Sequence, residues 1–414
     1  MSGRPGARGW PAVLVAALLL GACGGGSGNS GAPGSSPAPV ANQVATVVDA
    51  GPPGVKAINI LYTSVTLCAP GSASACQPID YVQVDTGSSG FRVLASALGN
   101  GLAVAQLPLT TDATGNAIVE CTQFVDGWSW GPVRSADLHL AGEVARDLPI
   151  QVIGDPAYAN PLIPSSCSNV PGGKVEDTVL QFGANGILGI GSYVQDCGPL
   201  CASGAQNGSH YNACTLRACS PAAVALAAQV SNPVAFFAAD RNGVMLTLTA
   251  EPDAGAPRAT GMLTFGIGTQ ADNALGSATV YQLDPSFGTL ITHYNGALLN
   301  SSFLDSGSNA LFFPDATLAT CPGQVFFYCP ANPVSRTGVI IQGLNGATAT
   351  LGFTIDSAAS FAASVTAAPT LAGPVGSAAL QSFDWGLPFF YGRPVFVVFE
   401  TATVGGVAGP AVAF

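Results

Sequence analysis

Charge is what this chain has least of. Only 8% of its 414 residues are charged, and twelve Lys and Arg stand against twenty-three Asp and Glu. There is no basic footprint for a phosphate backbone, which excludes nucleic acid as a partner. A coiled-coil or long-helix protein would need many more Glu, Lys and Arg. Past the N-terminal region no run of 18 uninterrupted apolar residues occurs, so no later helix is expected to span a bilayer. What is abundant is apolar residues (48%), glycine (52) and proline (31). A mean hydropathy of +0.41 rules out general disorder. The length allows two to three domains at about 150 residues each. The balance favours β-structure with many turns.

Residues 1–22 read as an export signal. Arg4 and Arg8 form a short basic region, residues 10–20 an apolar core, and Leu20-Gly21-Ala22-Cys23 follows. That tetrapeptide looks like a bacterial lipobox, in which Cys23 is lipidated and becomes the new N-terminus. The alternative is an ordinary signal peptide with an incidental cysteine. Residues 23–43 are rich in Gly, Ser, Pro and Ala and uncharged, a flexible tether with a reach of roughly 25 Å. Gly24 after the cysteine is not an acidic retention signal, which resembles outer-membrane sorting. The expected location is the bacterial cell envelope, anchored by lipid and facing periplasm or surface.

Setting Cys23 aside leaves an even number of cysteines, as an oxidising compartment favours. Cys68 and Cys76 flank a Gly/Ser-rich turn, and Cys321 and Cys329 have the same spacing; both look like hairpin staples. Cys121 and Cys167 pair by elimination. Cys197, Cys201, Cys214 and Cys219 form a cluster around His210, spaced either for two disulfides or for zinc, with disulfides favoured by export.

Short β-branched runs at 58–65, 81–84, 137–140, 149–153, 244–248, 338–341 and 394–399 are punctuated by turn residues. A helix is expected at 220–230, where Ser220 can cap, Pro221 suits the first position and alanines follow. A Pro/Ala/Gly-rich stretch near 251–259 divides the body into 44–255 and 256–414. Each half carries the same motif. Tyr81-Val82-Gln83-Val84 leads into Asp85-Thr86-Gly87-Ser88, then Phe91-Arg92-Val93-Leu94. Ser302-Phe303-Leu304 leads into Asp305-Ser306-Gly307-Ser308, then Ala310-Leu311-Phe312-Phe313. Each half later carries an apolar segment ending in glycine, Gly186-Ile187-Leu188-Gly189 and Phe383-Asp384-Trp385-Gly386. One such turn is weak as a signal; two, in the same order of parts, indicate duplication.

With these elements in order, the chain resembles the pepsin-like aspartic peptidases. The resemblance covers roughly 45–414 and implies an all-β, bilobal acid-protease fold: two barrel-like lobes, a central cleft and few short helices. It implies Asp85 and Asp305 as catalytic acids, Thr86 and Ser306 bonding across to the facing loop, and Ser88 and Ser308 donating to the outer carboxylate oxygens. Gly87 and Gly307 would let the loops turn and approach. No cofactor or metal is implied. The partner is a polypeptide substrate, or a protein held by a catalytically inactive relative, and the chain is expected to be a monomer.

Two departures bear on activity. The family usually has Trp seven residues after the first Asp, where this chain has Arg92. No Tyr-Gly-Thr-Gly-like flap is found; in flap order stand Phe124 and Trp128, which either cover the cleft or pack onto the lobe. Gly127-Trp128-Ser129-Trp130-Gly131 also matches the nucleophile elbow of serine hydrolases, with His210 or His293 as nominal partners, but a strand rather than a helix follows it. His139 alternates with Leu138 and Leu140 and is expected to face solvent. Asp384 is a third acid that would perturb the pair if its loop reached the cleft, and would otherwise bond nearby backbone.

Overall fold

The computed structural model describes residues 42–125, 127–159, 162–169, 173–205, 210–376 and 379–414. Cys23, the export signal and nearly all of the tether lie outside these residues. The strand Gln43–Val48 already includes the last residue assigned to the tether.

The alternating runs form strands, and the strands form two main sheets. One has sixteen strands among the described residues, the other seven. The strand Leu61–Cys68 pairs antiparallel with Cys76–Asp85. The next long hairpin pairs Gly127–Leu140 with Glu143–Ile153. The first of these two strands is buried at nearly every position, because other chain segments cover both of its faces. Within the large sheet the chain halves meet: Gln43–Val48 pairs with Ala259–Phe265, which also pairs with Gly243–Leu248. Pro394–Val398, Ala411–Ala413 and Val280–Gln282 continue from there. The seven-stranded sheet is built only from the second half, around Leu290–Tyr294, Ala297–Leu304 and Val334–Gln342.

The duplicated motif gives duplicated local structure. In the first half, Gly186–Ile190 lies parallel to Cys76–Asp85 and antiparallel to Ser89–Leu94, so the two strands flanking Asp85 embrace it. In the second half, Asp384–Trp385 lies parallel to Ala297–Leu304 and antiparallel to Leu311–Phe312. The apolar-Gly segments recognised in sequence are thus the central strands beneath each Asp loop. Glycine ends them for lack of room: a Cβ on Gly189 would lie 2.7 Å from the Gly90 carbonyl oxygen, and one on Gly386 would lie 2.1 Å from that of Ala310.

The halves are also latched by Asn59. Its side-chain amide donates to the carbonyls of Asn309 and Ala368, both at 2.8 Å, and its oxygen accepts from Ala368 N and Tyr391 OH. Asn tolerates the left-handed backbone found there (φ 52°) better than most residues.

All five disulfides form: Cys68–Cys76, Cys121–Cys167, Cys197–Cys201, Cys214–Cys219 and Cys321–Cys329. The expected helix at 220–230 does not form. Cys219–Pro221 is instead a strand paired to Tyr211–Cys214, and only a single 3-10 turn, Leu226–Ala228, follows. The Cys214–Cys219 staple holds this short hairpin closed. The backbone N–H groups of Ala222 and Val224 then donate to Tyr211 and Cys201 rather than to a helical turn, so tertiary pairing overrides alanine propensity. The described α-helices are single turns, Ser165–Ser168, Val179–Phe182 and Pro199–Ser203. Among the described residues no helix is long and apolar enough to cross a membrane.

Candidate active site

Each Asp stands at the end of a strand, where the chain leaves the sheet. Asp85 Oδ1 accepts from Gly87 N at 2.7 Å, and its Oδ2 accepts from the Ser88 hydroxyl. Asp305 repeats this: Oδ1 accepts from Gly307 N at 2.7 Å, and Oδ2 from Ser308 Oγ at 2.9 Å. The loops are locked to each other by a reciprocal exchange. Thr86 N donates to Ser306 Oγ (3.1 Å) and Ser306 N to Thr86 Oγ1 (2.9 Å). The same hydroxyls donate onward to the Leu304 and Val84 carbonyls. Every polar group in this buried crossing has a partner, which fixes the loop separation.

Glycine at 87 and 307 answers to space rather than to backbone conformation, since neither has a positive φ. A Cβ on Gly87 would fall 2.5 Å from Asp305 Cγ, and one on Gly307 would fall 2.5 Å from Asp85 Oδ1. The two carboxyls therefore approach over the glycines and share a hydrogen bond. Burial, then the Asp85 charge, then that hydrogen bond push Asp305 up to about 8. The pair thus holds on to a proton toward neutral pH, as expected when two carboxylates in contact cannot both ionise.

Asp384 reaches this pair. Its neighbours Phe383 and Trp385 point into the aromatic core, stacked at 4.0 Å, and strand alternation sends Asp384 to the opposite face. There its Oδ1 is buried without a hydrogen-bond partner. Burial first, then the charges of Asp305 and Asp85, raise it well above the usual carboxylate range.

Arg92, standing where the family usually has Trp, is buried. It pairs with Glu120 at 2.6 Å and Asp196 at 3.1 Å and donates to the Ser89 carbonyl at 2.9 Å. Glu120 belongs to Ala117–Gln123, the first strand of the hairpin in flap order. An ion cluster thus fastens the base of that hairpin to the strand following the Asp85 loop. Burial alone would raise Glu120, but Arg92 outweighs it and holds the carboxyl below its ordinary value. Asp196 goes the other way, raised by burial and then by the Glu120 charge, and it accepts from Tyr211 OH at 2.7 Å.

The flap candidates are engaged in packing on their own lobe. Phe124 meets Phe182 edge-on at 6.3 Å, and Trp128 is buried beside the Cys121–Cys167 disulfide. Ser129 is fully buried in mid-strand, paired with Thr122, its hydroxyl 3.4 Å from Gln151 Oε1. That is no strand-to-helix elbow, and His293 lies in the other sheet, its Nε2 2.8 Å from Gln342 Oε1. His139 is only half-buried in its strand. The Cys197, Cys201 and His210 ligand atoms lie within 4.8 Å of one another. The two sulfurs are bonded to each other, however, so no thiolate is left for a metal.

Glu120, Asp196 and Tyr211 were not singled out in sequence. Their signal was a charge inside an apolar strand, in Phe91-Arg92-Val93 and Val119-Glu120-Cys121, within a chain that has few charges to place.

The fold is that of the bilobal pepsin-like aspartic proteinases. A solved structure of this kind, the aspartic proteinase from Irpex lacteus, superposes with a TM-score of 0.52 at 14% identity, covering 90% of this chain and 96% of that one. The chain belongs to the family described as "Protein of unknown function (DUF3443)", which matches residues 38–414. No curated protein matches the chain in sequence.

Proposed function

We propose that the protein is an exported, lipid-anchored aspartic endopeptidase, in which Asp85 and Asp305 activate a water against a peptide carbonyl. The observation that carries this reading is the pair of Asp loops, locked to each other through Thr86 and Ser306, with each carboxyl against the facing glycine. Asp85 takes a proton from the water as its oxygen attacks the carbonyl carbon. Asp305 gives its proton to the carbonyl oxygen. Collapse of the tetrahedral intermediate breaks the C–N bond; Asp85 passes its proton to the leaving amine, and Asp305 recovers its own from the intermediate's hydroxyl. No covalent intermediate or cofactor is needed.

A second reading, a non-catalytic lipoprotein that holds a protein partner, is favoured by one observation: Arg92 stands where the family usually has Trp and is committed to a buried ion cluster with Glu120 and Asp196. Incubation of the folded protein with a peptide library from pH 3 to 9 separates the two. The peptidase reading expects cleavage at acid to neutral pH, falling as pH rises through about 8, because Asp305 then loses the proton the carbonyl requires. No cleavage at any pH by folded protein favours the binder.

Export is supported by the five disulfides, which suit an oxidising compartment; anchoring at Cys23 rests on the Leu20-Gly21-Ala22-Cys23 tetrapeptide alone. Metabolic labelling with a fatty acid is expected to mark the wild-type chain and not Cys23→Ala; equal labelling of both would refute the anchor.

A further inference from the structure

The order of strands along the two main sheets has four ends, and three of them are closed. The large sheet ends on Cys219–Pro221, three residues that finish in a proline and are held by the Cys214–Cys219 disulfide. Its other end is Val280–Gln282, also three residues. There Asn345 takes the place of a further strand. Its side chain donates to the Val280 carbonyl at 2.9 Å and accepts from Gln282 N at 3.2 Å, while Leu344 N donates to the Gln282 carbonyl at 2.8 Å. The seven-stranded sheet ends on Ala372–Gly373, only two residues long. The strand Gln324–Tyr328 covers it so closely that a Cβ on Gly373 would lie 2.1 Å from the Phe326 carbonyl oxygen. Short strands, proline and covering segments blunt an edge that would otherwise pair with another chain.

The fourth end has none of these. Thr348–Ile355 is eight residues long and pairs on one side with Val334–Gln342. Among the described residues no strand or loop backbone pairs with its other side. Its sequence, Thr-Ala-Thr-Leu-Gly-Phe-Thr-Ile, has no charge and no proline. The register slip in this hairpin falls on the inner strand, between Arg336 and Val339, so the outer strand is regular along its length. Every second residue of such a strand turns its N–H and C=O outward. Thr348, Thr350 and Gly352 are exposed on one face, and Ala349, Leu351 and Phe353 are only half-buried on the other.

We propose that this edge is a dimer interface, at which Thr348–Ile355 pairs antiparallel with the same strand of a second copy of the chain about a two-fold axis at Leu351. The strand is complementary to itself in that register. Leu351 meets Leu351 of the second copy, Phe353 meets the small Ala349, Thr350 meets Gly352, and Thr348 meets Thr354. The half-buried apolar residues then stay together on one face of a continuous sheet. A register shifted by one residue would set Leu351 against Gly352 and turn the two apolar faces to opposite sides. The nearest charge along the chain, Asp356, lies just past the strand, and antiparallel pairing puts its two copies at opposite ends of the interface. The edge has no charge to recruit an acidic or basic partner and none to repel itself, which suits its own copy. A two-fold pair also uses up both free edges and closes. An edge pair is smaller than a standard interface, so the dimer is weak and concentration-dependent. The proposal replaces the monomer expected from the sequence and is independent of the peptidase reading.

The test is sedimentation of the full chain in mild detergent, comparing wild type with Thr350→Lys over about 1–500 µM. Anchor and detergent are common to both, so only the edge distinguishes them. Wild type is expected to pass from monomer to dimer within that range. Thr350→Lys, at an exposed position, is expected to dimerise at least about 30-fold more weakly. A wild type that stays monomeric throughout, or a Thr350→Lys variant that dimerises equally well, would overturn the proposal. A second set of variants reads the register. Under mild air oxidation Thr348→Cys mixed with Thr354→Cys is expected to give a disulfide-linked dimer, whereas Thr348→Cys alone is not. Cross-linking of Thr348→Cys to itself would overturn the two-fold at Leu351. A monomer that binds an extended uncharged peptide, and loses it in Thr350→Lys, would overturn the second copy and give the edge to that occupant.

Discussion

Asp85→Asn and Asp305→Asn are each expected to lower kcat/KM by about 10³–10⁴-fold, or about 4–5.5 kcal/mol of transition-state stabilisation. Neither carboxyl can perform both proton transfers, since one must accept from water while the other donates to the carbonyl oxygen. The double variant is expected to be no worse than either single one, because residues that act as a unit are not additive. Thr86→Ala and Ser306→Ala should cost less, about 10-fold, since each removes one side of the reciprocal exchange and loosens the pair without removing a carboxyl. Initial-rate measurements with one cleaved peptide check the series. A single Asp→Asn variant that retains wild-type rate would contradict the assignment, and so would a loss of activity in Ser129→Ala with Asp85→Asn unaffected.

Arg92→Leu is expected to be the most destabilising substitution near the site, by about 3–5 kcal/mol at pH 7. It leaves the buried carboxyls of Glu120 and Asp196 without their cation. The pH dependence has a definite sign. Glu120 is held below its ordinary value, so its contribution is present above the unfolded value and lost as pH falls through the folded one. Without Arg92 burial raises the same carboxyl, and it favours being neutral. The difference between wild type and variant should therefore shrink as pH falls from 7 to 4. Glu120→Gln added to Arg92→Leu should recover about half of the loss, because it removes the orphaned charge. Urea midpoints of the three proteins at both pH values check this. A loss that is constant with pH would mean that packing, and not charge, is what Arg92 supplies.

What was legible in the sequence was what is local or repeated. Asp85-Thr86-Gly87-Ser88 and Asp305-Ser306-Gly307-Ser308 carry their geometry within four residues, so their duplication pointed to a fold and a site together. The hairpin staples at Cys68–Cys76 and Cys321–Cys329 were visible because short loops leave few other partners. The strands were visible through their alternation. What was not legible depends on partners far away in the chain. The segment 220–230 has helical composition, yet its backbone pairs with Tyr211 and Cys201. Arg92 could be flagged as out of place, but nothing in its neighbourhood names Glu120 or Asp196. The flap candidates Phe124 and Trp128 were read from order alone, and the structure engages both in packing on the lobe. Asp384 was noticed as an acid near the second glycine, but only the stacking of its neighbours Phe383 and Trp385 in the core shows which face of the strand it takes.

The most direct test of the central claim is the affinity for a peptide whose scissile amide is replaced by a non-cleavable secondary alcohol, a mimic of the tetrahedral intermediate. Calorimetry would be run on wild type, Asp85→Asn and Asp305→Asn from pH 5 to 9. The hydroxyl of the mimic sits where the attacked carbonyl would be and needs one ionised and one neutral carboxyl. The expected result is tight binding to wild type that weakens as pH rises through about 8, with a loss of at least about 100-fold in either variant. Binding that ignores both pH and the two substitutions would show that the Asp85–Asp305 pair is not a peptidase centre.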